Sequence, residues 1–475
     1  MSLKTGFNSY DTFYENFVPL IENNSDGIPI LVSSDESYLS KHLKDAEMHF
    51  LVASGYFSTT VSTIVIPDTM GNVKIIVIKP SRKKRFLIGD RISRLPAGKY
   101  RILNTLSDNQ AFEITLGFCL SAYKYQNYYK EKNVFDVLLS IPNNVNEKRT
   151  KTFALAEFFV RNLVNCPASQ LGPNNFENVI KSFAKERGAS FSSLVGDDLI
   201  KENFPMIFAV GKAGPEAPRF VELNWGEDRH YKVTLVGKGV CFDTGGLNIK
   251  LGESMATMKK DMGGAASVLG LMDCIIRSGL KVRLKVLIPI VENSISSQSF
   301  RPGDVLLSKK GLTVEVNNTD AEGRLILSDA LYYGDEGKPN LLVCMATLTG
   351  AARVALGPDI APFYSNDEAF SNALVMCSET ICDPVWPLPF YTEYESMIEP
   401  FFADLDNAPK SGMAGSITAA LFLKKFVEKS AIFVHFDVFA WSKNAEPGRP
   451  VGGLMQGVRA LYTALEQKVN DHKIT

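Results

Sequence analysis

The chain has 475 residues, of which 45% are hydrophobic and 22% are charged, as in ordinary globular proteins. Its 51 lysines and arginines nearly balance 52 acidic residues, and the net charge of -1 provides no overall positive field to attract nucleic acid or an anionic membrane. With 35 glycines and 23 prolines, the composition excludes a disordered, collagen-like or coiled-coil protein. The length predicts about three domains, or one or two larger α/β units.

Signals for export or membrane insertion are not evident in the sequence. Residues 1–17 contain one lysine and no apolar run of signal-peptide length. The best candidate span, residues 341–357, is interrupted by two threonines and an arginine, so no window reaches about 18 uninterrupted apolar residues. The seven cysteines are scattered and form no CxxC pair, which is typical of core residues in a reducing compartment. We therefore expect a cytoplasmic protein with no membrane partner.

Residues 1–150 are predicted to form a small α/β domain, in which short β-rich runs alternate with helix. The strands are predicted at 28–33, 72–80, 84–89 and 135–142, and a helix at 109–125. No chemically reactive side chains cluster in this part, so we expect it to have a structural or assembly role. The polar segment 143–151 is the predicted domain boundary.

Residues 151–475 are predicted to form a larger α/β domain, entered through a linker helix over about 151–165. Strands, glycine-containing loops and helices then alternate, and the last helix is predicted over 450–467. Several strands are almost continuously apolar, which is expected when helices cover both faces of a sheet. The predicted fold class is therefore α/β, with a smaller N-terminal domain and a larger C-terminal domain whose central sheet is covered on both faces.

Charged side chains gather in two segments that follow predicted strands. Residues 237–250 come directly after one strand, and residues 317–325 lie between a strand and a helix. In covered α/β sheets, ligands bind in the crevice beyond the carboxyl ends of the strands. These segments and the start of the helix between them contribute seven charged residues: Asp243, Asp261, Asp320, Glu322, Lys238, Lys250 and Arg324.

The four carboxylates in this set predict a metal site, provided that they converge. Two like charges about 4 Å apart repel by about 4 kcal/mol at an effective dielectric constant of about 20. Two divalent cations would balance four carboxylates, and such a site suits Mn²⁺, Zn²⁺ or Mg²⁺. In an extended segment, the alternate spacing of Asp320, Glu322 and Arg324 would point all three side chains to one side.

Simpler interpretations of single residues stay open. Asp243, before Thr-Gly-Gly, would also suit an Asx turn, and Asp261 would suit the N-cap of the following helix. Lys238 would ordinarily be a solvated loop lysine, and Arg324 a salt-bridge partner. His435 lies in an apolar strand and is predicted to be a satisfied core residue.

Other kinds of catalytic site lack their motifs. GxxxxGK[ST], a complete GxGxxG, HExxH and GxSxG are all absent, and five histidines are too few to favour a histidine-built zinc site or a Ser-His-Asp triad. Two alternatives stay open. One is a nucleotide-using enzyme built on Gly237 and Gly239, and the other is a DNA-binding or assembly protein, which the near-neutral charge does not support.

Four motifs together resemble one enzyme family. The segments VGKGVCFDTGGLNIK, MKKDMGGAA, VEVNNTDAEGRLILSDAL and ATLTGAARVALG are similar to those of the cytosolic (leucyl) aminopeptidases, the dinuclear metallo-exopeptidases of peptidase family M17. The resemblance covers the predicted C-terminal domain, which it implies is catalytic, whereas the N-terminal part matches only in size and α/β character. Two departures adjoin motif residues: Leu251, where many relatives have proline, and Cys241, where threonine is common.

The resemblance implies a metal-binding role for five residues. Asp243 and Glu322 would bridge two metal ions, Asp320 would bind one of them, and Asp261 and Lys238 would complete the other. A lysine that binds a metal must be neutral. Holding a lysine of pKa about 10.4 neutral at pH 7 costs about 4.6 kcal/mol, which coordination to a metal can supply.

The same resemblance implies the catalytic groups and the activity. Lys250 would polarise the scissile carbonyl, and Arg324 would hold a bicarbonate ion that acts as general base. Met258, Thr347 and Gly350 would line the pocket for the first side chain of the substrate. The implied activity is removal of leucine and other N-terminal residues from peptides with a free N-terminus, with two Mn²⁺ or Zn²⁺ ions per subunit. The family forms hexamers of two stacked trimers, and we expect the same assembly here.

Overall fold

The structure is a computed structural model that describes residues 18–21, 26–58, 60–80, 84–131, 134–409 and 411–472. The segment 1–17, where no export signal is predicted, lies outside the described residues. Internal contacts divide the chain into two units. The larger contains Phe159–Ser442 and the chain from Gly452 onward, and the smaller contains the described residues up to Phe158 together with Lys443–Val451.

The smaller unit is built on a sheet of six strands within the described residues. The strands are β1 (Leu20–Ile21), β2 (Ile28–Val32), β3 (Thr63–Pro67), β4 (Val73–Ile78), β5 (Gly98–Ile102) and β6 (Val137–Ser140). They lie in the order β1-β6-β5-β2-β4-β3, and every pair is parallel except β3 with β4. The accompanying helices are α1 (Glu36–Ser40), α2 (Asp45–Ala53), α3 (Leu87–Ser93) and α4 (Asp108–Ala122).

Two predictions for the N-terminal part, one of a helix and one of a strand, have different outcomes. Helix α4 lies where the 109–125 helix is predicted, and a capping box of Ser107 and Gln110 fixes its start. The prediction of a strand over 84–89 is wrong, since this segment leads into helix α3. A short apolar run does not by itself distinguish strand from helix. Gly89 lies so close to α4 that a Cβ atom on it would be 2.3 Å from Phe118 N, and this packing against α4 favours the helix.

The larger unit contains the main sheet. After helix α5 (Glu147–Asn165), which includes the predicted linker helix, the strands of this sheet are β7 (Ser190–Val195), β8 (Arg219–Trp225), β9 (Tyr231–Gly237), β10 (Gly239–Asp243), β11 (Val282–Asn293), β14 (Leu341–Ala346), β15 (Ala361–Ser365), β16 (Val385–Pro387) and β18 (Ile432–Asp437). Their order is β16-β15-β18-β14-β9-β11-β8-β7, with β10 paired to β11. The sheet is mixed, because β7, β8 and β15 pair in antiparallel fashion.

Shorter strands and the helices complete the larger unit. The strands are β12 (Val305–Leu307), β13 (Thr313–Glu315), β17 (Leu405–Asp406), β19 (Trp441–Ser442) and β20 (Gly452–Gly453). The helices are α6 (Pro173–Arg187), α7 (Asp198–Lys201), α8 (Pro205–Gly211), α9 (Gly263–Ser278), α10 (Glu322–Glu336), α11 (Gly350–Leu356), α12 (Glu368–Thr380), α13 (Gly415–Lys424) and α14 (Val458–His472). Two 3-10 helices span Gly252–Met262 and Thr392–Ile398.

Central strand β14 shows why the apolar pattern is continuous. Leu342, Cys344 and Ala346 belong to one apolar cluster with residues of α8, α10 and α13. The alternate residues of the strand face the opposite side, and they are fully buried too. Because both faces of this sheet are covered, the predicted α/β fold class of a smaller and a larger unit is confirmed.

The last predicted helix begins later than expected. Residues 450–457 precede α14 and include the two-residue strand β20. Gly452 has a φ of 122°, which an L residue rarely adopts, and the N–H of Gly453 donates to Asn165 Oδ1 at 2.7 Å. This contact, which is distant in sequence, outweighs the helical spacing of the apolar residues.

The cysteines lie in the core. All seven are buried, as predicted. Among the helices of the described residues, none combines the length and the apolar character that crossing a bilayer requires.

A buried carboxylate on α10 supports the start of α8, and its removal is expected to destabilise the fold. Asp329 is fully buried and accepts hydrogen bonds from the backbone N–H groups of Met206, Ile207 and Lys309 at 2.9, 3.4 and 2.8 Å. Because Asp329→Ala leaves these donors buried without an acceptor, we expect a loss of about 2–4 kcal/mol in the free energy of unfolding, measured by urea titration. Asp198→Ala, at a largely exposed side chain, is the matched control and is expected to cost less than about 0.5 kcal/mol. Equal losses in both variants would contradict this.

Candidate metal centre

Four acidic side chains lie beyond the carboxyl ends of strands in the larger unit. Asp243 is the last residue of β10, Asp261 lies in the 3-10 helix before α9, and Glu322 is the first residue of α10. Asp320 lies in the turn that precedes α10. Carboxylate oxygens of Asp243, Asp320 and Glu322 lie within 4.8 Å of one another, and Asp261 is linked to Glu322 through a lysine.

Lys238 is the lysine that joins Asp261 to Glu322. Its Nζ lies 2.6 Å from Asp261 Oδ2 and 2.9 Å from Glu322 Oε1, and it donates to the carbonyl of Thr347 at 3.1 Å. The side chain is buried. Burial favours the neutral amine, but the charges of Asp261, Glu322 and Asp243 outweigh burial and raise the pKa of Lys238. In the sequence this residue resembles a solvated loop lysine, whereas the structure places its ammonium among carboxylates.

Lys250 has the corresponding position on the other side of the cluster. Its Nζ lies 2.8 Å from Asp243 Oδ2 and 2.5 Å from Asp320 Oδ1. Burial lowers the pKa of Lys250, but Asp243, Glu322 and Asp320 raise it further than burial lowers it. Two ammonium groups therefore face four carboxylates.

The pKa values of the carboxylates reflect this excess of negative charge. Burial, followed by the charge of Asp243, raises the pKa of Glu322 to about 8 and that of Asp320 to about 6. Burial also acts to raise the pKa of Asp261, but the positive charge of the neighbouring Lys238 outweighs burial, and the pKa of Asp261 is lowered. Crowded, buried carboxylates of this kind are stabilised in the ionised form by additional positive charge.

The oxygens of the cluster have unused capacity to bind a cation. Asp261 Oδ2, Asp320 Oδ1 and both carboxylate oxygens of Glu322 are buried and accept no hydrogen bond of normal geometry from the described residues. Three of these four oxygens make only the ion pairs with Lys238 and Lys250. Leaving a buried charged group unsatisfied costs more than the 1–3 kcal/mol of a neutral one. Carboxylate oxygens and an amine nitrogen form a donor set that suits Mn²⁺ or Zn²⁺, so the residues fit a divalent metal site.

Side chains that the sequence analysis did not single out hold Asp243 in place. Its Oδ1 accepts from the Gly245 N–H and from Asn293 Nδ2, both at 2.8 Å, and Asn293 Nδ2 also reaches the carbonyl of Thr319 at 3.1 Å. Asn293 is the last residue of β11. The rule that ligands gather at the carboxyl ends of strands, applied to this strand as well, would have found it.

Close packing brings Asp261 to the cluster. A Cβ atom on Gly264 would lie 2.2 Å from the carbonyl oxygen of Met345, so only glycine allows α9 to begin against the end of β14. The hydroxyl of Thr347, one residue after β14, donates to Asp261 Oδ1 at 2.8 Å. The loop after β14 therefore contacts both Asp261 and Lys238.

Arg324 is the third residue of α10 and is buried. Its Nε and Nη1 have no hydrogen-bond acceptor among the described residues. Burial lowers the pKa of Arg324 to about 10, against the opposing effects of Asp437 and Glu322. A buried guanidinium with free donors is suited to bind a small anion.

The three residues assigned to the substrate pocket lie in segments next to the cluster. Met258 is half-buried in the 3-10 helix that carries Asp261. Thr347 is buried, and Gly350 is the exposed first residue of α11. Asp437, the last residue of β18, accepts hydrogen bonds from the N–H groups of Leu348 and Thr349, both at 3.0 Å. These bonds hold the loop between β14 and α11, which contains Thr347.

Several local expectations need correction. Asp320, Glu322 and Arg324 are not in an extended segment, because the helix begins at Glu322; a turn followed by a helix, not strand alternation, brings the two carboxylates together. Asp261 is not the N-cap of α9, since Met262 has that position. Asp243 does form the Asx-turn hydrogen bond, through Oδ1, while its Oδ2 contacts Lys250.

His435 is a core residue, but not a satisfied one. It is fully buried in β18 and stacks on Tyr364 with ring centroids 5.9 Å apart. Neither ring nitrogen makes a hydrogen bond of normal geometry within the described part of the chain, and burial lowers the pKa of His435 to about 3. The ring is therefore neutral at pH 7.

The fold and the site together define an α/β protein with a candidate centre for divalent metal ions. The model of the cytosol aminopeptidase family catalytic domain matches residues 158–462, and that of the M17 aminopeptidase N-terminal domain matches residues 29–142. The probable cytosol aminopeptidase 1 of Shewanella oneidensis is 31% identical over 474 residues, covering 94% of each chain.

Solved structures give the same result. A cytosol aminopeptidase from Coxiella burnetii superimposes with a TM-score of 0.90 at 38% identity, covering 95% of this chain and 99% of that one. The bottromycin maturation enzyme BotP, in complex with Mn, has a TM-score of 0.82 at 27% identity and covers 93% of this chain and 100% of its own. The chain belongs to the cytosol aminopeptidase family, which confirms the resemblance found in its motifs and supports aminopeptidase activity.

Proposed function

We propose that the chain is a metal-dependent aminopeptidase that removes leucine and other N-terminal residues from peptides with a free N-terminus. The observation that carries the proposal is the cluster of Asp243, Asp261, Asp320 and Glu322, in which, among the described residues, four carboxylates form ion pairs with two lysines, Lys238 and Lys250. The family membership supports hydrolysis of N-terminal peptide bonds, and this cluster would bind the metal ions.

Five residues of this chain would hold two divalent metal ions, Mn²⁺ or Zn²⁺. Asp243 and Glu322 would be shared between the ions, Asp320 would serve one, and Asp261 and Lys238 the other. Bound there, the ions would supply Lewis acidity and lower the pKa of water toward neutrality. Lys238 must lose a proton from Nζ to become a ligand, so metal binding would release a proton.

Lys250 and Arg324 would act on the peptide bond. Lys250 Nζ already lies between two of the carboxylates, where it can donate to the scissile carbonyl oxygen and stabilise the negative charge that develops there. The unpaired Nε and Nη1 of Arg324 are donors for a bicarbonate ion, which would serve as general base. Arg324 would hold that anion in a fixed position.

Substrate selection would involve the free α-amine and the first side chain. Met258, Thr347 and Gly350 are proposed to line the side-chain pocket. One methylene in such a pocket changes kcat/KM by only about 10–200-fold, so we expect broad specificity. The hexamer of stacked trimers and the cytoplasmic location are proposed from the family alone, and the names of the relatives favour the latter.

Removing the metal ions is expected to abolish the activity. After dialysis against a chelator, the full chain should no longer release p-nitroaniline from leucyl-p-nitroanilide. Added Mn²⁺ or Zn²⁺ should restore this activity, and metal analysis should then show two ions per subunit. The Nα-acetylated substrate is the control for recognition of the amine and should not be cut. Undiminished activity after complete metal removal, or equal cleavage of the acetylated substrate, would refute the proposal.

A further inference from the structure

Lys260 is a buried lysine that the proposed chemistry does not use. Its side chain is 4% exposed, and its Nζ lies 5.0 Å from the ring centroid of Phe439. Within the residues that the structure describes, this Nζ makes no hydrogen bond and no ion pair. The neighbouring carboxylate of Asp261 is already engaged by Lys238 and Thr347. Burial lowers the pKa of Lys260 to about 8, and the charge of Asp261, which Lys238 also pairs, only partly offsets this. A further anion beside Lys260 would therefore stabilise its ammonium.

A second cation lies against the same ring. The guanidinium carbon of Arg353 is 4.4 Å from the ring centroid of Phe439. The guanidinium of Arg353 also makes no ion pair or hydrogen bond among the described residues. Contact with an aromatic face contributes about 0.5–2 kcal/mol to each cation, but the ring carries no net charge. Lys260 and Arg353 therefore both contact the ring of Phe439, which leaves their positive charges without a counter-charge from the ring.

These charges adjoin the residues proposed to line the substrate pocket. A Cβ atom on Gly350 would lie 3.8 Å from Arg353 Nη2. A Cβ atom on Gly263 would lie 3.3 Å from the methyl group of Thr347 and 2.4 Å from Cβ of Ala440, the residue after Phe439. The guanidinium of Arg353 therefore lies near Gly350, and Lys260 precedes Asp261, to which the Thr347 hydroxyl donates at 2.8 Å.

We propose that the pocket for the first side chain of the substrate accepts an acidic side chain, that of glutamate or aspartate, whose carboxylate is attracted by Lys260 and Arg353. The inference rests on the proposed function, because the pocket itself is assigned there. A substrate carboxylate gives Lys260 an anion in addition to Asp261, which Lys238 already pairs. The amide of glutamine has the same shape but provides no charge, so the site favours glutamate over glutamine, whereas leucine fills the pocket by apolar contact.

The first test compares substrates on the metal-loaded full chain. We expect kcat/KM for α-glutamyl-p-nitroanilide to exceed that for glutaminyl-p-nitroanilide by at least about 10-fold, since the two differ by one charged hydrogen-bond acceptor. Leucyl-p-nitroanilide establishes independently whether the chain is an aminopeptidase. Cleavage of all three substrates with glutaminyl as fast as glutamyl would overturn the inference and leave the proposed function intact. Cleavage of none of them would overturn the proposed function.

The second test removes the charges one at a time. Lys260→Met keeps the approximate volume of the buried side chain, and Arg353→Met changes an exposed one. Each is expected to lower the glutamyl-to-glutaminyl ratio of kcat/KM about 10-fold or more. Lys309→Met is the matched control, because Lys309 Nζ also lies over an aromatic ring, that of Phe204 at 3.9 Å, and its loss should leave the ratio unchanged. An unchanged ratio in both pocket variants, or an equal loss in the control, would overturn the inference. Partial unfolding lowers kcat/KM for both substrates equally, so it does not change the glutamyl-to-glutaminyl ratio.

Discussion

Glu322→Gln is expected to lower kcat/KM for leucyl-p-nitroanilide at least about 1,000-fold, which corresponds to about 4 kcal/mol of transition-state stabilisation. Glu322 is 1% exposed, and neither of its carboxylate oxygens accepts a hydrogen bond from the described residues. The amide has the same shape, but it carries no charge and is a much weaker metal ligand. We therefore expect metal analysis to show fewer bound ions in this variant, together with the loss of activity.

The control for this variant lies on the same helix. Glu336 is the last residue of α10, and its carboxylate is 43% exposed and paired with Lys429 at 2.5 Å. Glu336→Gln removes the same charge from a solvated position and should leave activity and metal content unchanged. Because burial and Asp243 raise the pKa of Glu322 to about 8, its side chain is largely protonated at pH 7 without metal, so the metal-free Glu322→Gln protein should melt close to the metal-free wild type. Full activity of Glu322→Gln would contradict the assigned ligand role.

Gly323→Ala is expected to lower the affinity for metal about 10- to 100-fold, with a corresponding loss of activity at limiting metal. A Cβ atom at residue 323 would lie 2.5 Å from Cε and 2.8 Å from Nζ of Lys238. The lysine has little room to yield, since it is buried and in contact with Asp261 and Glu322. The added methyl group therefore displaces the amine that is proposed to bind one of the metal ions.

The matched control for Gly323 is another glycine of α10. A Cβ atom on Gly334 would meet methyl groups of Leu287 and Thr234 at 3.0 Å, away from the acidic cluster. Gly334→Ala should reduce stability modestly and leave metal affinity unchanged, as measured by titration with Mn²⁺. Equal metal affinity in Gly323→Ala and the wild type would show that Lys238 is not a ligand, or that it moves freely.

Local sequence patterns predict the parts of the fold that depend on neighbouring residues. The continuous apolar run 341–346 identifies a strand covered on both faces, and Ser107 with Gln110 begins a helix through its own hydrogen bonds. Local patterns do not predict the helix that begins within 84–89, because Gly89 packs against Phe118 of α4, which is distant in the chain. The same is true of the late start of α14, where Asn165 holds Gly453.

In the candidate site, too, some features follow from local sequence patterns and others depend on contacts between distant segments. The charged side chains, the family that they match and the strand ends that they follow can be predicted from the amino-acid sequence. The positions of Asp261 and Glu322 on either side of one lysine, and of two cations against Phe439, are known from the three-dimensional fold alone. Spacing along the chain governs only contacts within a turn or a strand. Distances between separate segments depend on strand order, register and the close approach that glycine permits.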